Sequence, residues 1–227
     1  GKQMITRKEL ARMIDHALLN PSLTAEDIRR GCQDAIKHNL FAVTVNPAHV
    51  RLAAETLQGS SVRVCSVVSF PFGLSTADAK VFETKTAISQ GAVEIDMVMN
   101  FSALRSGLTD FVLNDIRSVV EEAERASKEI VVKVILETCY LSQEEKTRAC
   151  EVAIDAGADF VKTSTGFGSS GATVEDVRLL RKVVGRSIGV KAAGGIRSLQ
   201  HVLSMIEAGA NRIGTSSSVL IIETLNP

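Results

Sequence analysis

Aromatic residues are scarce in this chain of 227 residues, which has no tryptophan, a single tyrosine and eight phenylalanines. Hydrophobic residues nevertheless make up 45% of the sequence. A core of that size must therefore be built from Val, Ile, Leu and Ala. Aliphatic, β-branched cores are typical of parallel strands that are buried on both faces.

An excess of charge of either sign is also missing, because 26 Lys and Arg residues balance 26 Asp and Glu residues. No long basic stretch occurs, so we expect neither a nucleic acid nor an anionic membrane surface as a partner. No apolar run approaches the about 20 residues of a membrane span. No signal-peptide pattern follows the amino terminus. We therefore expect a cytoplasmic protein.

The cysteines follow no metal-binding pattern. Cys32, Cys65, Cys139 and Cys150 include no C-x-x-C pair, and no histidine lies at a zinc-like spacing from them. This usage indicates reduced, buried thiols of a cytoplasmic protein. His38, His49 and His201 are interpreted as surface or packing residues, and His16, at a strand end, has no partner at a metal-binding spacing. We therefore expect neither a metal nor another cofactor.

Short apolar runs alternate with amphipathic stretches along the whole chain. The apolar runs predict eight strands: Ile14–Leu18, Phe41–Val45, Arg63–Val68, Val93–Val98, Val131–Leu136, Asp159–Lys162, Ile188–Lys191 and Asn211–Gly214. The other stretches predict helices at Thr6–Met13, Thr24–His38, Pro47–Thr56, Thr76–Ser89, Leu108–Ser127, Ser142–Asp155, Thr173–Val184 and Ser198–Glu207, with a short one after Ser216.

Local signals mark both ends of these helices. Ser142 and Thr173 each lie three residues before an acid, which is the spacing of a capping box. Three helices end in a Gly-Ala pair, at Gly91, Gly157 and Gly209, and a strand follows each pair at once. The repeated helix–turn–strand unit indicates a repeating βα architecture.

Eight strand–helix units with no Pro/Ser-rich linker between them predict one α/β domain over residues 1–227. The expected fold is a single (β/α)8 TIM barrel with an extra N-terminal helix. A doubly wound open sheet is the alternative. It is disfavoured because no G-x-G-x-x-G motif follows the first strand.

Two lysines, Lys162 and Lys191, close apolar runs and lead directly into turns of small residues. A buried ammonium is costly, and Asp96 on the fourth strand is a candidate partner. Burial and a second ammonium both lower the pKa of an amine, which is otherwise about 10.4. The pair therefore suits Schiff-base chemistry. A purely structural ion-pair network is the alternative, and we assign that role to Lys133 and Glu94.

The last two strands end in turns rich in glycine and serine, with Gly194 and Gly195 in one and Ser216 and Ser217 in the other. In barrels, the loops after strands seven and eight commonly bind phosphate through backbone N–H groups near a helix N-terminus. Each turn alone is also compatible with an ordinary tight turn and an N-cap serine. Their occurrence on adjacent strands favours a phosphate site.

Six segments of the chain resemble, in the same order, the deoxyribose-phosphate aldolase family of class I aldolases. They are Asp15–Leu19, Glu94–Val98, Lys133–Thr138, Phe160–Phe167, Val190–Arg197 and Arg212–Ser217. The Lys-Thr-Ser-Thr-Gly block that starts at Lys162, paired with the later Lys-x-Ala-Gly-Gly block, is a specific combination.

The resemblance implies reversible cleavage of 2-deoxy-D-ribose 5-phosphate to D-glyceraldehyde 3-phosphate and acetaldehyde, in deoxyribose phosphate catabolism. It implies that Lys162 is the nucleophile, that Lys191 lowers its pKa, and that Asp96 completes a proton relay. It implies a substrate and phosphate site formed by Asp15, Thr165, Gly166, Gly194, Gly195, Ser216 and Ser217. Barrels of this kind commonly pair through helices, so we also expect a homodimer or homotetramer.

Two positions depart from the family pattern. Phe167 stands where some members carry a further cation, and Ala17 stands where some carry threonine. Two other functions stay open. One is a related Schiff-base barrel acting on another sugar phosphate, such as a transaldolase-like or ketose-phosphate aldolase. The other is a non-catalytic barrel that binds a phosphorylated metabolite, although such a barrel has no need of paired amines.

Overall fold

The computed structural model describes residues 4–227 and contains a closed barrel of eight parallel strands. The strands pair in chain order, and the last closes against the first. They are β1 Ile14–Leu18, β2 Ala42–Val45, β3 Arg63–Val68, β4 Glu94–Val98, β5 Val131–Ile135, β6 Phe160–Lys162, β7 Gly189–Ala193 and β8 Arg212–Thr215.

Helices lie between successive strands, with one helix before the first strand and one after the last. They are α1 Arg7–Ala11, α2 Ala25–Lys37, α3 Val50–Leu57, α4 Ala77–Ser89, α5 Phe101–Arg105, α6 Thr109–Ala126, α7 Gln143–Asp155, α8 Val174–Val184, α9 Leu199–Ala208 and α10 Ser218–Thr224. The barrel and its leading helix confirm the predicted fold class. No helix of residues 4–227 combines the length and the apolar character needed to cross a membrane.

The helix ends form as their local sequences predict. Ser142 makes both bonds of a capping box at the start of α7. Thr173 forms only half of its predicted capping box at the start of α8: it accepts the backbone N–H of Asp176, but the Asp176 carboxylate binds Lys146 Nζ at 2.7 Å instead of the Thr173 backbone. The three Gly-Ala exits adopt positive φ, for example 124° at Gly209, a conformation that glycine takes at little cost.

The structure differs from the sequence prediction in several short segments, including an unpredicted 3-10 turn at Thr138–Tyr140. The sequence pattern does not predict α5, because five residues are too few to display a helical period. The helix expected from Pro47 to Thr56 begins as a 3-10 turn, Pro47–His49, before α3. The first helix ends at Ala11, two residues earlier than expected.

Strand alternation divides the barrel into two environments. On β4, Ile95 and Met97 belong to the apolar core under the helices, whereas Glu94 and Asp96 make ion pairs with strands across the barrel interior. The interior is therefore charged and lies beneath the carboxyl ends of the strands.

Candidate active site

A cavity of about 540 Å³ opens at the carboxyl ends of the strands. Its walls come from the ends of β1, β2, β6, β7 and β8 and from the loops that follow them. Lys162 and Lys191 both line it, although their exposed fractions are only 2% and 0%. The two amines therefore form the buried end of the cavity.

The register of the sheet places the two lysines side by side, because Lys162 on β6 pairs with Lys191 on β7. Both ammonium groups contact one carboxylate oxygen. Lys162 Nζ lies 3.0 Å and Lys191 Nζ 2.8 Å from Asp96 Oδ2. Asp96 is fully buried on β4. One oxygen atom is thus within hydrogen-bond distance of two amines, which allows a proton to pass between them.

The two lysines differ in their affinity for a proton. Burial lowers the pKa of Lys162; the Asp96 carboxylate raises it, and the Lys191 ammonium lowers it, so that the net shift is downward. Burial also lowers the pKa of Lys191, but the carboxylates of Asp15 and Asp96 outweigh it and the net shift is upward. Lys162 is therefore the amine that releases its proton first.

Asp96 stays ionised in this setting. Burial alone raises the pKa of Asp96, but the ammonium groups of Lys133, Lys162 and Lys191 hold it well below its usual range. Lys133 Nζ approaches the second oxygen, Oδ1, at 2.8 Å. The carboxylate can therefore accept protons from either side but does not keep one near neutral pH.

The glycines of the predicted phosphate site lie around the cavity. Gly166, Gly194 and Gly195 line it and have φ values of 90°, 94° and 74°. Ser216 lines it as well. Ser217 does not, and its backbone N–H donates to Thr215 Oγ1 at 3.0 Å.

Two further predicted substrate residues bind protein groups. Asp15 is fully buried, and its Oδ2 lies 2.6 Å from Lys191 Nζ. Thr165 lines the cavity, but its hydroxyl donates to Glu137 Oε2 and accepts the backbone N–H of Phe167 at 3.0 Å. Glu137 also accepts the Thr165 N–H at 3.1 Å. The Thr165 hydroxyl proton is therefore directed at Glu137.

Among the cavity residues outside the predicted site, Arg197 and Thr44 carry groups that can bind substrate. Arg197 is exposed and lines the cavity just after the Gly194-Gly195 turn, and it carries a cation near the predicted phosphate site. Thr44 on β2 lines the cavity with a buried hydroxyl that has no hydrogen-bond partner among residues 4–227. Thr44 lies one residue before the end of β2 and Arg197 lies on the loop after β7, and this position near a strand end was the available sequence signal.

The predicted structural network surrounds the reactive pair. Lys133 Nζ lies 2.6 Å from Glu94 Oε1 and 2.8 Å from Asp96 Oδ1. Arg212 reaches Glu94 Oε1 at 2.9 Å and Asp15 Oδ1 at 3.3 Å. The network therefore connects directly to the lysines rather than forming a separate structural unit.

Comparisons with known proteins identify the family of the chain. A model described as DeoC/LacD family aldolase matches residues 10–218. The deoxyribose-phosphate aldolase of Caldanaerobacter subterraneus is 56% identical over 214 residues, which cover 94% of this chain and 92% of the relative. That of Thermococcus kodakarensis is 56% identical over 222 residues, which cover 96% and 98%.

Solved structures extend the match to three dimensions. The structure described as the unique tetrameric structure of deoxyribose phosphate aldolase from Aeropyrum pernix superposes with a TM-score of 0.90 at 32% identity. The superposition covers 96% of this chain and 92% of that one. Since the family model spans the barrel from before β1 to the start of α10, and relatives share half or more of their residues with it, the chain belongs to the DeoC/LacD aldolase family.

Proposed function

We propose that the protein is a class I deoxyribose-phosphate aldolase, which reversibly cleaves 2-deoxy-D-ribose 5-phosphate to D-glyceraldehyde 3-phosphate and acetaldehyde. The observation that carries this proposal is the buried Lys162 amine, which faces the cavity, has a lowered pKa and shares one Asp96 oxygen with Lys191. Its support from known proteins is the family and the names of relatives that are 56% identical.

Lys162 is the proposed nucleophile. Its free amine adds to the C1 carbonyl of the open-chain sugar, and loss of water gives an iminium ion. The iminium withdraws the electron pair of the C2–C3 bond as that bond breaks. The C3 hydroxyl passes its proton to the relay of Asp96 and Lys191, and C3 becomes the aldehyde carbon of glyceraldehyde 3-phosphate. C1 and C2 remain on Lys162 as an enamine.

Asp96 and Lys191 are the proposed proton carriers. The enamine needs a proton at C2, after which water adds to the iminium and releases acetaldehyde. Lys191 holds a proton because its pKa is raised, and Asp96 Oδ2 bridges it to Lys162. The same carboxylate oxygen, Asp96 Oδ2, can therefore accept a proton from one amine and pass it to the other.

The phosphate group is proposed to lie at the loops after β6, β7 and β8. Gly166, Gly194 and Gly195 offer backbone N–H groups without side chains in the way, Ser216 offers a hydroxyl, and Arg197 supplies a positive charge at the cavity. Phosphate binding in this site rests on the backbone and on Arg197, because the side chain at position 167 is an apolar phenyl ring.

Borohydride trapping tests the proposal. The protein is mixed with acetaldehyde or with 2-deoxyribose 5-phosphate, reduced, and mapped by peptide mass spectrometry, with Lys162→Met as the matched control. We expect an adduct on Lys162 with both compounds and none in the variant. An unlabelled, folded wild-type protein contradicts the aldolase assignment. Faster cleavage of a different sugar phosphate in a coupled assay contradicts the substrate assignment.

We also propose that the enzyme forms a homodimer or homotetramer. Support comes from large apolar side chains at the surface, such as Phe82 on α4 and Phe111 on α6, whose exposed fractions are 71% and 56%. The Aeropyrum pernix relative is described as tetrameric. Light scattering after gel filtration measures the mass in solution, and a monomer at micromolar concentration contradicts the proposal.

We also propose that the protein is located in the cytoplasm. The four cysteines are free thiols in the structure, and three of them are buried, as suits a reducing compartment. Cell fractionation with antibody detection tests this location, and enrichment in an oxidising compartment contradicts it.

A further inference from the structure

The ion pairs inside the barrel contain one more cation than carboxylates. Within residues 4–227, they join three carboxylates to four cationic side chains, namely Asp15, Glu94 and Asp96 to Lys133, Lys162, Lys191 and Arg212. All seven side chains are at most 10% exposed. Arg63 Nε also lies 3.1 Å from Glu94 Oε2, but the Arg63 side chain is 37% exposed, so water screens its charge more than those of the four buried cations.

Three of the four cations have two or more carboxylate partners. Lys133 contacts Glu94, Asp96 and Asp15 at 2.6, 2.8 and 3.5 Å. Lys191 contacts two of these carboxylates at 2.6 and 2.8 Å, and Arg212 contacts two at 2.9 and 3.3 Å.

Lys162 differs from these three cations. The one carboxylate it contacts in the described chain is Asp96, which Lys133 and Lys191 also contact. The ammonium of Lys162 is consequently the surplus charge of the cluster.

We propose that Glu94, Lys133 and Arg212 are positioning residues that set the protonation of Lys162 from beneath the cavity, by fixing the charge balance of the buried cluster. None of the three lines the cavity, so they do not touch substrate. They act through Asp96 and Asp15. This inference rests on the proposed function only in taking Lys162 as the reactive amine.

The direction of the effect follows from Coulomb's law in a poorly screened interior. If Glu94 becomes neutral, Lys133 and Arg212 lose a partner and the cluster gains positive charge, which disfavours a protonated Lys162. If Lys133 becomes neutral, Asp96 loses a partner and binds the Lys162 ammonium more strongly. The raised pKa of Lys133 and the lowered pKa of Lys162 agree with this division.

The charged and titratable groups around Lys162 come from five other strands. Asp96 on β4, Lys191 on β7 and Cys65 on β3 act on Lys162 directly. Lys133 on β5 and Asp15 on β1 act through Asp96 and Lys191, which they contact. Burial raises the pKa of the Cys65 thiol to about 12, so this group stays neutral. Glu137, on the loop after β5, binds the Thr165 backbone and hydroxyl instead.

The test measures the protonation of Lys162 without relying on catalysis. Trace acetylation with acetic anhydride across a pH series, quantified on the Lys162 peptide by mass spectrometry, gives the midpoint of the free amine. Glu94→Gln is expected to lower that midpoint, and Lys133→Met to raise it, each by roughly one pH unit. The double variant Glu94→Gln/Lys133→Met loses one charge of each sign and is expected to return close to the wild-type midpoint.

Controls separate charge balance from general damage. Asp176→Asn removes a partly buried carboxylate that binds Lys146 outside the barrel, and it is expected to leave the midpoint unchanged. Arg212→Gln serves as the cation variant if Lys133→Met does not fold, with the same upward shift expected. If the Glu94 and Lys133 single variants shift the midpoint in the same direction, or if neither shifts it although both fold, the inference is overturned. Failure of the aldolase assignment would instead appear as absent borohydride adducts in the wild type.

Discussion

At the scale of single residues, Lys191 controls how Asp96 interacts with Lys162. In Lys191→Leu, Asp96 and Asp15 lose ammonium contacts of 2.8 and 2.6 Å. Asp96 then favours a protonated Lys162 more strongly and raises its pKa. We expect the turnover number at pH 7 to fall by about 10²- to 10⁴-fold.

The pH profile of kcat identifies the cause of that loss. The activity of Lys191→Leu is expected to recover partly as pH rises toward the new pKa of Lys162. A variant with near-normal turnover at pH 7 would show that the two amines are not coupled through Asp96.

Thr44 offers an unused hydrogen bond to the substrate. Its buried Oγ1 lines the cavity and has no partner within the described chain, and a buried unpaired hydroxyl costs about 1–3 kcal/mol. We expect Thr44→Val to raise KM for 2-deoxyribose 5-phosphate roughly tenfold, with a smaller change in kcat. Thr44→Ser retains the hydroxyl and is the matched control. Equal KM values for the wild type and Thr44→Val would count against this contact.

The sequence predicts residues whose placement depends on strand parity, and misses those that depend on tertiary contacts. Asp96 and Lys162 are placed correctly together because alternation fixes which side chains enter the barrel. Glu137 is not predicted as a partner of Thr165, because its backbone takes a left-handed conformation, φ 57°, that no local pattern signals. The roles assigned to these residues stay predictions.

At the scale of elements, the loops after β6 and β7 touch through glycines. A Cβ on Gly194 would lie 3.0 Å from Gly171 Cα and 3.1 Å from Ser164 Cβ, and φ at this position is 94°. Gly194→Ala must therefore push the two loops apart. We expect KM for the phosphorylated substrate to rise by about tenfold or more, since one or more phosphate hydrogen bonds of about 1.5–3 kcal/mol are lost.

Gly107→Ala is the control for backbone strain alone. Gly107 has φ of 78° and nothing within 4 Å of an added Cβ, on the connection between α5 and α6. This variant is expected to lose about 1–2 kcal/mol of unfolding free energy with KM unchanged. Similar KM values for the Gly194 and Gly107 variants would show that the loops after β6 and β7 do not bind the phosphate.

Element boundaries follow the sequence where a cap residue marks them and depart from it where packing decides. Ser142 starts α7 as predicted, because its capping box is local in sequence. The short helix α5 depends on Asn100, whose side chain accepts the Ala103 N–H at 2.9 Å. Because asparagine also starts turns, an Asn before such a short apolar stretch does not tell from sequence whether a helix or a turn follows.

At the scale of the whole molecule, β1 and β8 are neighbours although they lie at opposite ends of the chain. A barrel closed in this way exposes the edges of both strands if either end unfolds. That residues 1–227 form one domain stays a prediction, and we expect a single urea transition that fluorescence of the lone tyrosine and circular dichroism report at the same midpoint. Two separate midpoints would indicate independent units.

The pH dependence of stability is a property of the whole fold that depends on buried His16. This side chain joins β1 to α10, with Nδ1 2.7 Å from Ser218 Oγ, and is 5% exposed. Burial lowers its pKa to about 4, with Asp34 opposing the shift, whereas in an unfolded chain histidine titrates near about 6.5. The unfolded state therefore takes up the proton at higher pH than the folded state. The contribution of neutral His16 to the free energy of unfolding is fully present above about pH 6.5 and is lost toward pH 4.

His16→Gln should separate this contribution from that of the carboxylates. Protonation of His16 is expected to cost the wild type about 3 kcal/mol of unfolding free energy between pH 7 and 4. His16→Gln lacks this contribution, so its total loss over the same pH range should be smaller by about 3 kcal/mol. Asp15, whose pKa is about 2 because Lys191 and its neighbouring cations outweigh burial, acts in a separate window from about pH 4 down to 2. Urea titrations at pH 7, 5.5 and 4 measure the difference. Equal losses of unfolding free energy in both proteins would mean that the pKa of His16 does not differ between the folded and unfolded states.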